Sequence, residues 1–170
     1  MKKVILMLVL AMSAGMFAGC KKGKPDRMLL PSEVVTLKEA QELVGDDYKL
    51  VLKDDALIQE GNKVIAKYVP EPLGSGDSVF VEIYEPSENL DEDAVEEKFE
   101  ASREKRTDFI EIEDLGDDAY IAYPTLHLYS NGVYVAITAG SEGKDEQTEL
   151  LEEFGKDAEK NINNFFNFNK

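Results

Sequence analysis

Two spacings of apolar residues run through this chain, one helical and one strand-like. In VTLKEAQELVG (35–45), Leu37, Ala40, Leu43 and Val44 recur at helical intervals. Thr36 supplies an N-cap, Glu39 completes a capping box three residues on, and Gly45 marks the C-terminal end. YKLVLKD (48–54) instead alternates, with Tyr48, Leu50 and Leu52 against Lys49, Val51 and Lys53. That predicts a strand with one buried face. EGNK (60–63) reads as a turn, VIAKYV (64–69) as a second strand and SVFVEIYEP (78–86) as a third that Pro86 ends. DEDAVEEKFEASREKR (91–106) predicts a surface helix, acidic at its start and basic at its end, with a thin inner stripe of Val95, Phe99 and Ser102.

Four more strands follow: DFIEIED (108–114), DDAYIAYP (117–124) and the two arms of TLHLYSNGVYVAITAG (125–140). Asn131-Gly132 is the strongest two-residue hairpin signal. It pairs Tyr129 with Tyr134, Leu128 with Val135, His127 with Ala136, and Leu126 with Ile137. Leu126, Leu128, Val135 and Ile137 then share one face. Thr125, His127, Tyr129, Tyr134, Ala136 and Thr138 share the other. From Lys144 to about Asn164 a long amphipathic helix turns Leu150, Leu151, Phe154, Ala158, Ile162 and Phe165 inward, and Gly155 interrupts it at some cost.

Hairpin-length links between these elements predict an α+β class: an antiparallel sheet of about six to seven strands packed with two to three helices on one face. VTLKEAQELVG and LGDDAYIAYPTLHLYSNGVYVAITAG (115–140) resemble the opening and late strands of small bacterial lipoproteins with a PsbP-like sandwich. The resemblance covers most of residues 32–164. It implies an α/β/α arrangement, and a family of binding and assembly modules more often than enzymes.

The first residues carry a different signal. Lys2 and Lys3 precede an uncharged run from Val4 to Phe17, the length of a secretory core and short of the roughly 20 apolar residues a span needs. Phe17-Ala18-Gly19-Cys20 resembles the lipobox of bacterial lipoproteins, with Phe where Leu is usual. The resemblance implies cleavage between Gly19 and Cys20 and a diacylglyceryl group on the Cys20 thiol. It gives the only cysteine of the chain a use in an oxidising compartment. The division that follows is a leader over 1–19, a lipid-anchor tether over 20–31 and one domain over 32–170. The mature protein is expected to lie outside the cytoplasm of a bacterium, on the inner or outer membrane, with no transmembrane helix and no disulfide.

Charge excludes one class of partner. The chain has 35 acidic and 19 basic residues. Loss of Lys2 and Lys3 with the leader leaves 17 basic residues and a formal charge of −18. Nucleic acid needs basic surface to displace counterions, so it is not an expected partner. Lys21, Lys22, Lys24 and Arg27 gather beside the anchor, where they either meet lipid headgroups or remain solvated.

No catalytic residues, cofactor or metal site emerge from the motifs. His127 is the only histidine, there is no second cysteine, and Gly74-Ser75-Gly76-Asp77 lacks the spacing of a nucleophile elbow. His127 reads as a half-exposed strand residue. The carboxylate runs at Asp46-Asp47, Asp54-Asp55, Asp91-Glu92-Asp93 and Asp117-Asp118 lack calcium-loop spacing and read as solvated surface. The expected function is a non-catalytic binding or interaction module of the cell envelope, meeting an envelope protein or small ligand. The alternatives are a carboxylate-dependent extracytoplasmic hydrolase and a weak divalent-cation binder. The candidate binding face is Tyr129, Tyr134 and His127 with Phe80 and Tyr84, if it is open. The competing arrangement is that the 91–106 helix covers it and makes the aromatics core.

Overall fold

The late hairpin forms in the expected register. Asn131 and Gly132 both take positive φ, 54° and 74°, as a type I′ turn requires. Tyr129 faces Tyr134, Leu128 faces Val135, His127 faces Ala136 and Leu126 faces Ile137. The computed structural model describes residues 27–47, 49–58, 63–87, 90–139 and 144–168. The expected leader over 1–19, Cys20, most of the expected tether, Tyr48 and the turn at 60–62 lie outside the described residues.

The elements are α1 (Pro31–Val34), α2 (Leu37–Val44), β1 (Lys49–Ile58), β2 (Lys63–Glu71), β3 (Val79–Tyr84), α3 (Glu92–Glu104), β4 (Ile110–Glu111), β5 (Asp118–Ala122), β6 (Thr125–Ser130), β7 (Val133–Ala139) and α4 (Lys144–Phe168). All seven strands form one antiparallel sheet in the order β1-β2-β3-β7-β6-β5-β4. The fold is therefore α+β. Helices cover both faces, where periodicity alone placed them on one.

The main core lies between the sheet and α1, α2 and α4. Tyr68, Val79, Val81, Ile83, Leu126, Leu128, Val135 and Ile137 meet Leu151, Phe154, Ala158, Ile162 and Phe165 there. Gly155 has a reason beyond helix propensity. A Cβ on it would come within 2.5 Å of Leu115 and 2.9 Å of Leu126. Its bare backbone lets α4 press against the sheet.

The capping box of α2 forms as expected. The Thr36 hydroxyl accepts from the Glu39 N–H at 3.3 Å, and the Glu39 carboxylate accepts from the Thr36 N–H at 2.7 Å. Ala40 and Leu43 are buried, but Leu37 is exposed. It sits one position past the cap, where the helix has not yet turned onto the sheet.

Packing also starts earlier than residue 32. Leu29 is fully buried, and its N–H donates to the Glu85 carboxylate at 3.0 Å. Arg27 pairs with Glu33 at 2.6 Å and lies over the Phe165 ring. The Asn161 amide donates to the Val34 carbonyl at 3.1 Å. The end of the expected tether is thus part of the domain.

β1 is an edge strand, paired with β2 alone, and its register shifts between Leu52 and Asp54. Leu50 is buried and Leu52 is exposed, so the expected apolar face holds only at the start of the strand. Lys49 and Lys53 are exposed. Serine at either is expected to change the unfolding free energy by less than about 0.5 kcal/mol in urea titration. A larger loss would show that these lysines pack.

Candidate functional site

The second face of the sheet is divided into a covered and an open half. The covered half begins with α3. Asp91 caps it, its carboxylate accepting from the Ala94 N–H at 2.9 Å. Spacing of four residues then drives Val95 and Phe99 onto the sheet, where both are fully buried. The Phe99 ring lies 5.4 Å from Tyr120, 5.8 Å from Tyr129 and 5.5 Å from Tyr134. Tyr84 stacks on Tyr134 at 5.2 Å. These contacts make a small aromatic core with Ala122 and Ala136.

His127 lies inside that core. It is 3% exposed, not half-exposed as its alternating position suggested, because α3 forms a third layer above it. Its ring stacks on Tyr120 at 4.5 Å and 12°. Nδ1 lies 2.7 Å from the Tyr134 hydroxyl and 3.5 Å from the Ser102 hydroxyl, which themselves stand 3.3 Å apart. Nε2, the Tyr120 hydroxyl and the Arg103 Nε are buried without a hydrogen-bond partner among the described residues. The rest of the Arg103 guanidinium is occupied, by Asp118 at 2.6 Å and Glu111 at 3.4 Å, and it lies over the rings of Phe99 and Tyr120.

Electrostatics follow from the burial. Desolvation, joined by the positive charge of Arg106, lowers the His127 pKa to about 4, so the ring is neutral at pH 7. Burial, helped by the carboxylates of Glu96 and Glu92, raises Tyr129 to about 12. Burial also raises Tyr120 and Tyr134. Ser102 and His127 meet, and among the described residues no carboxylate is bonded to the ring.

The open half lies beyond the edge of α3. β2 pairs Lys63 with Tyr84, Ile65 with Glu82 and Lys67 with Phe80, all six on the α3 side of the sheet and all part-exposed. Lysines interleave with the aromatics. Lys67 lies 5.2 Å from the Phe80 ring centre, and Lys63 and Lys98 lie 5.7 and 5.4 Å from that of Tyr84. Lys63 also pairs with Glu82 at 2.8 Å.

The five aromatic and histidine positions read from the sequence thus share one sheet face, in two settings. Tyr129, Tyr134 and His127 are under α3, and Phe80 and Tyr84 stand beside it. Tyr120, Arg103 and the three lysines escaped the sequence reading. Tyr120 had a signal, since it alternates with Ala119 and Ile121. The lysines had none, because Lys63 and Lys67 reach the rings only through β2 pairing with β3, and Lys98 only through the packing of α3 on the sheet.

The carboxylate runs are mostly structural or exposed. Asp91 caps α3, Asp117 accepts from the Asn131 N–H at 2.8 Å, and Asp118 holds Arg103. Among the described residues no three His, Cys, Asp or Glu side chains converge to hold a metal ion. A groove of about 720 Å³ separates α2 from the start of β1, lined by Leu37, Gln41, Lys49 and Leu50 among others. Gln41 there serves the backbone, donating to the Gly45 carbonyl and accepting from the Leu50 N–H. Among the described residues no helix is long and apolar enough to cross a membrane. Comparison with protein-family models, curated proteins and solved structures finds no match for this chain.

Proposed function

We propose that this chain is a lipid-anchored extracytoplasmic binding module, held to a bacterial membrane through Cys20, and that the open half of the sheet face is its contact surface. One observation carries the choice of surface. Phe80 and Tyr84 stand part-exposed at the border of α3, beside Lys63 and Lys67 of β2 and Lys98 of α3. Aromatic rings give contact area at low entropic cost, and ammonium groups add attraction for carboxylates. The chain as a whole is acidic, yet Lys67 and Lys98, with Lys63 paired to Glu82, place positive charge beside these rings. The fitting partner is an envelope protein or small ligand with an apolar, carboxylate-bearing contact.

The test combines the anchor and the face. Cys20→Ala is expected to abolish incorporation of a fatty-acid analogue and release the protein from the membrane fraction. Normal labelling of that variant would end the lipoprotein reading. Phe80→Ser with Lys67→Glu is expected to abolish cross-linking to envelope partners in cells while leaving the protein folded. Undiminished cross-linking by a folded double variant would dismiss the face.

A further inference from the structure

We propose that α3 is an acid-released cover: protonation of His127 frees α3 from the sheet and joins Tyr120, Tyr129 and Tyr134 to the open surface at Phe80 and Tyr84. The His127 imidazole is enclosed from both sides. On the sheet side it meets Tyr120 and Tyr134, both neutral phenols. On the α3 side it meets the Ser102 hydroxyl, with the positive charges of Arg103 close to Tyr120 and of Arg106 just beyond the helix. The carboxylates of this region are directed elsewhere. Glu100, Glu111 and Asp118 pair with Arg103, and Glu92 and Glu96 act on Tyr129. A proton on His127 would place a cation in the buried cluster with no anion bonded to it and two guanidinium groups nearby. Such a charge is expelled or hydrated.

Hydration requires α3 to lift, because the sheet side of the ring is closed by β5 and β7. α3 is the element able to do so. Its apolar hold consists of Val95 and Phe99, the only two buried side chains of the helix. The α1, α2 and α4 layer packs on the opposite face of the sheet and has its own core, which His127 does not enter. Local opening of α3 therefore leaves the main core intact. Lys98 of α3 already lies over Tyr84, and Tyr84 stacks on Tyr134, so the covered and open aromatic groups are continuous.

The direction with pH is fixed by the two states of the ring. Closed, the ring holds a proton only below about pH 4, and open it regains its ordinary value of 6.5. Between those values the open state binds a proton that the closed state does not. The opening constant is therefore flat above about pH 6.5, rises as pH falls, and levels below about pH 4. From pH 7 to pH 5 it rises roughly 20-fold.

Native-state hydrogen exchange on the wild-type domain tests this, after correction for the intrinsic pH dependence of exchange. The amides of α3 should report an opening constant about 20-fold larger at pH 5 than at pH 7, while those of β3 and β7 hold their protection. In His127→Phe, which keeps a ring on Tyr120, the α3 constant should not vary with pH although every carboxylate remains. His127→Gln serves if that variant does not fold. The single histidine also gives one imidazole NMR signal in the wild type. Titration near 6.5 with α3 still protected would overturn the proposal. So would α3 amides indifferent to pH, or opening only together with the whole sheet. The use of the opening rests on the binding reading above. Partner cross-linking that rises at pH 5 in wild type but not in His127→Phe supports regulation. Cross-linking that the Phe80→Ser, Lys67→Glu variant retains at both pH values fails the binding reading alone and leaves the exchange result standing.

Discussion

Replacing Phe99 by alanine is expected to cost about 3–5 kcal/mol of unfolding free energy, the range for a buried phenylalanine. The ring is fully buried and touches three tyrosines from β5, β6 and β7. Alanine would remove those contacts and leave a void bordered by Tyr120, Tyr129 and Tyr134. Collapse into it is restricted, because each tyrosine sits on a strand held on both sides. The Arg103 guanidinium lies over the same ring, so its packing loosens as well. Denaturant titration followed by far-UV circular dichroism measures the loss. A cost below about 1 kcal/mol would mean that the Phe99 ring adds little to the packing between α3 and the sheet.

Alanine at Gly116 is expected to cost about 2–5 kcal/mol, from left-handed strain and overpacking together. Gly116 has φ of +64° in the turn leading into β5, and a Cβ there would lie 2.6 Å from the Tyr129 carbonyl oxygen and 2.5 Å from Leu128 Cδ1. The carbonyl cannot retreat freely, since it accepts from the Asp117 N–H at 2.9 Å. Gly74 separates the two contributions. It too has positive φ, +85°, yet a Cβ added there would meet nothing within 4 Å. Gly74→Ala should show the strain alone, about 1–2 kcal/mol. Equal losses at the two sites, measured by thermal melting, would remove the packing part of the argument.

Local rules carried the sequence reading where a turn or cap sets the geometry within a few residues. The Asn131-Gly132 turn fixes the β6–β7 register and hence the side of the sheet on which each residue falls. Thr36 and Glu39 fix the start of α2 in the same way. What alternation cannot reveal is whether another layer covers that side. His127 is buried for this reason, while Phe80, on the same face of the sheet, remains part-exposed. DFIEIED alternates over seven positions, yet only Ile110 and Glu111 pair, with Ile121 and Tyr120. The chain turns soon after, where Asp114 takes φ of 61°, and Ile110 stays exposed at the sheet edge. Gly155 reads as a weak point of α4 because propensity counts only the helix itself. Its purpose lies in Leu115 and Leu126, residues distant in sequence that meet it only after folding.

The burial of Leu29 sets a length. With Cys20 acylated as proposed, only the chain from Cys20 to Leu29 separates the bilayer from the first residue locked into the core. Fully extended, that stretch reaches about 30 Å. Under that proposal the leash is short, and the domain would work close to one membrane surface. The proposed partner would then have to reach that surface, either embedded in the same bilayer or brought close to it.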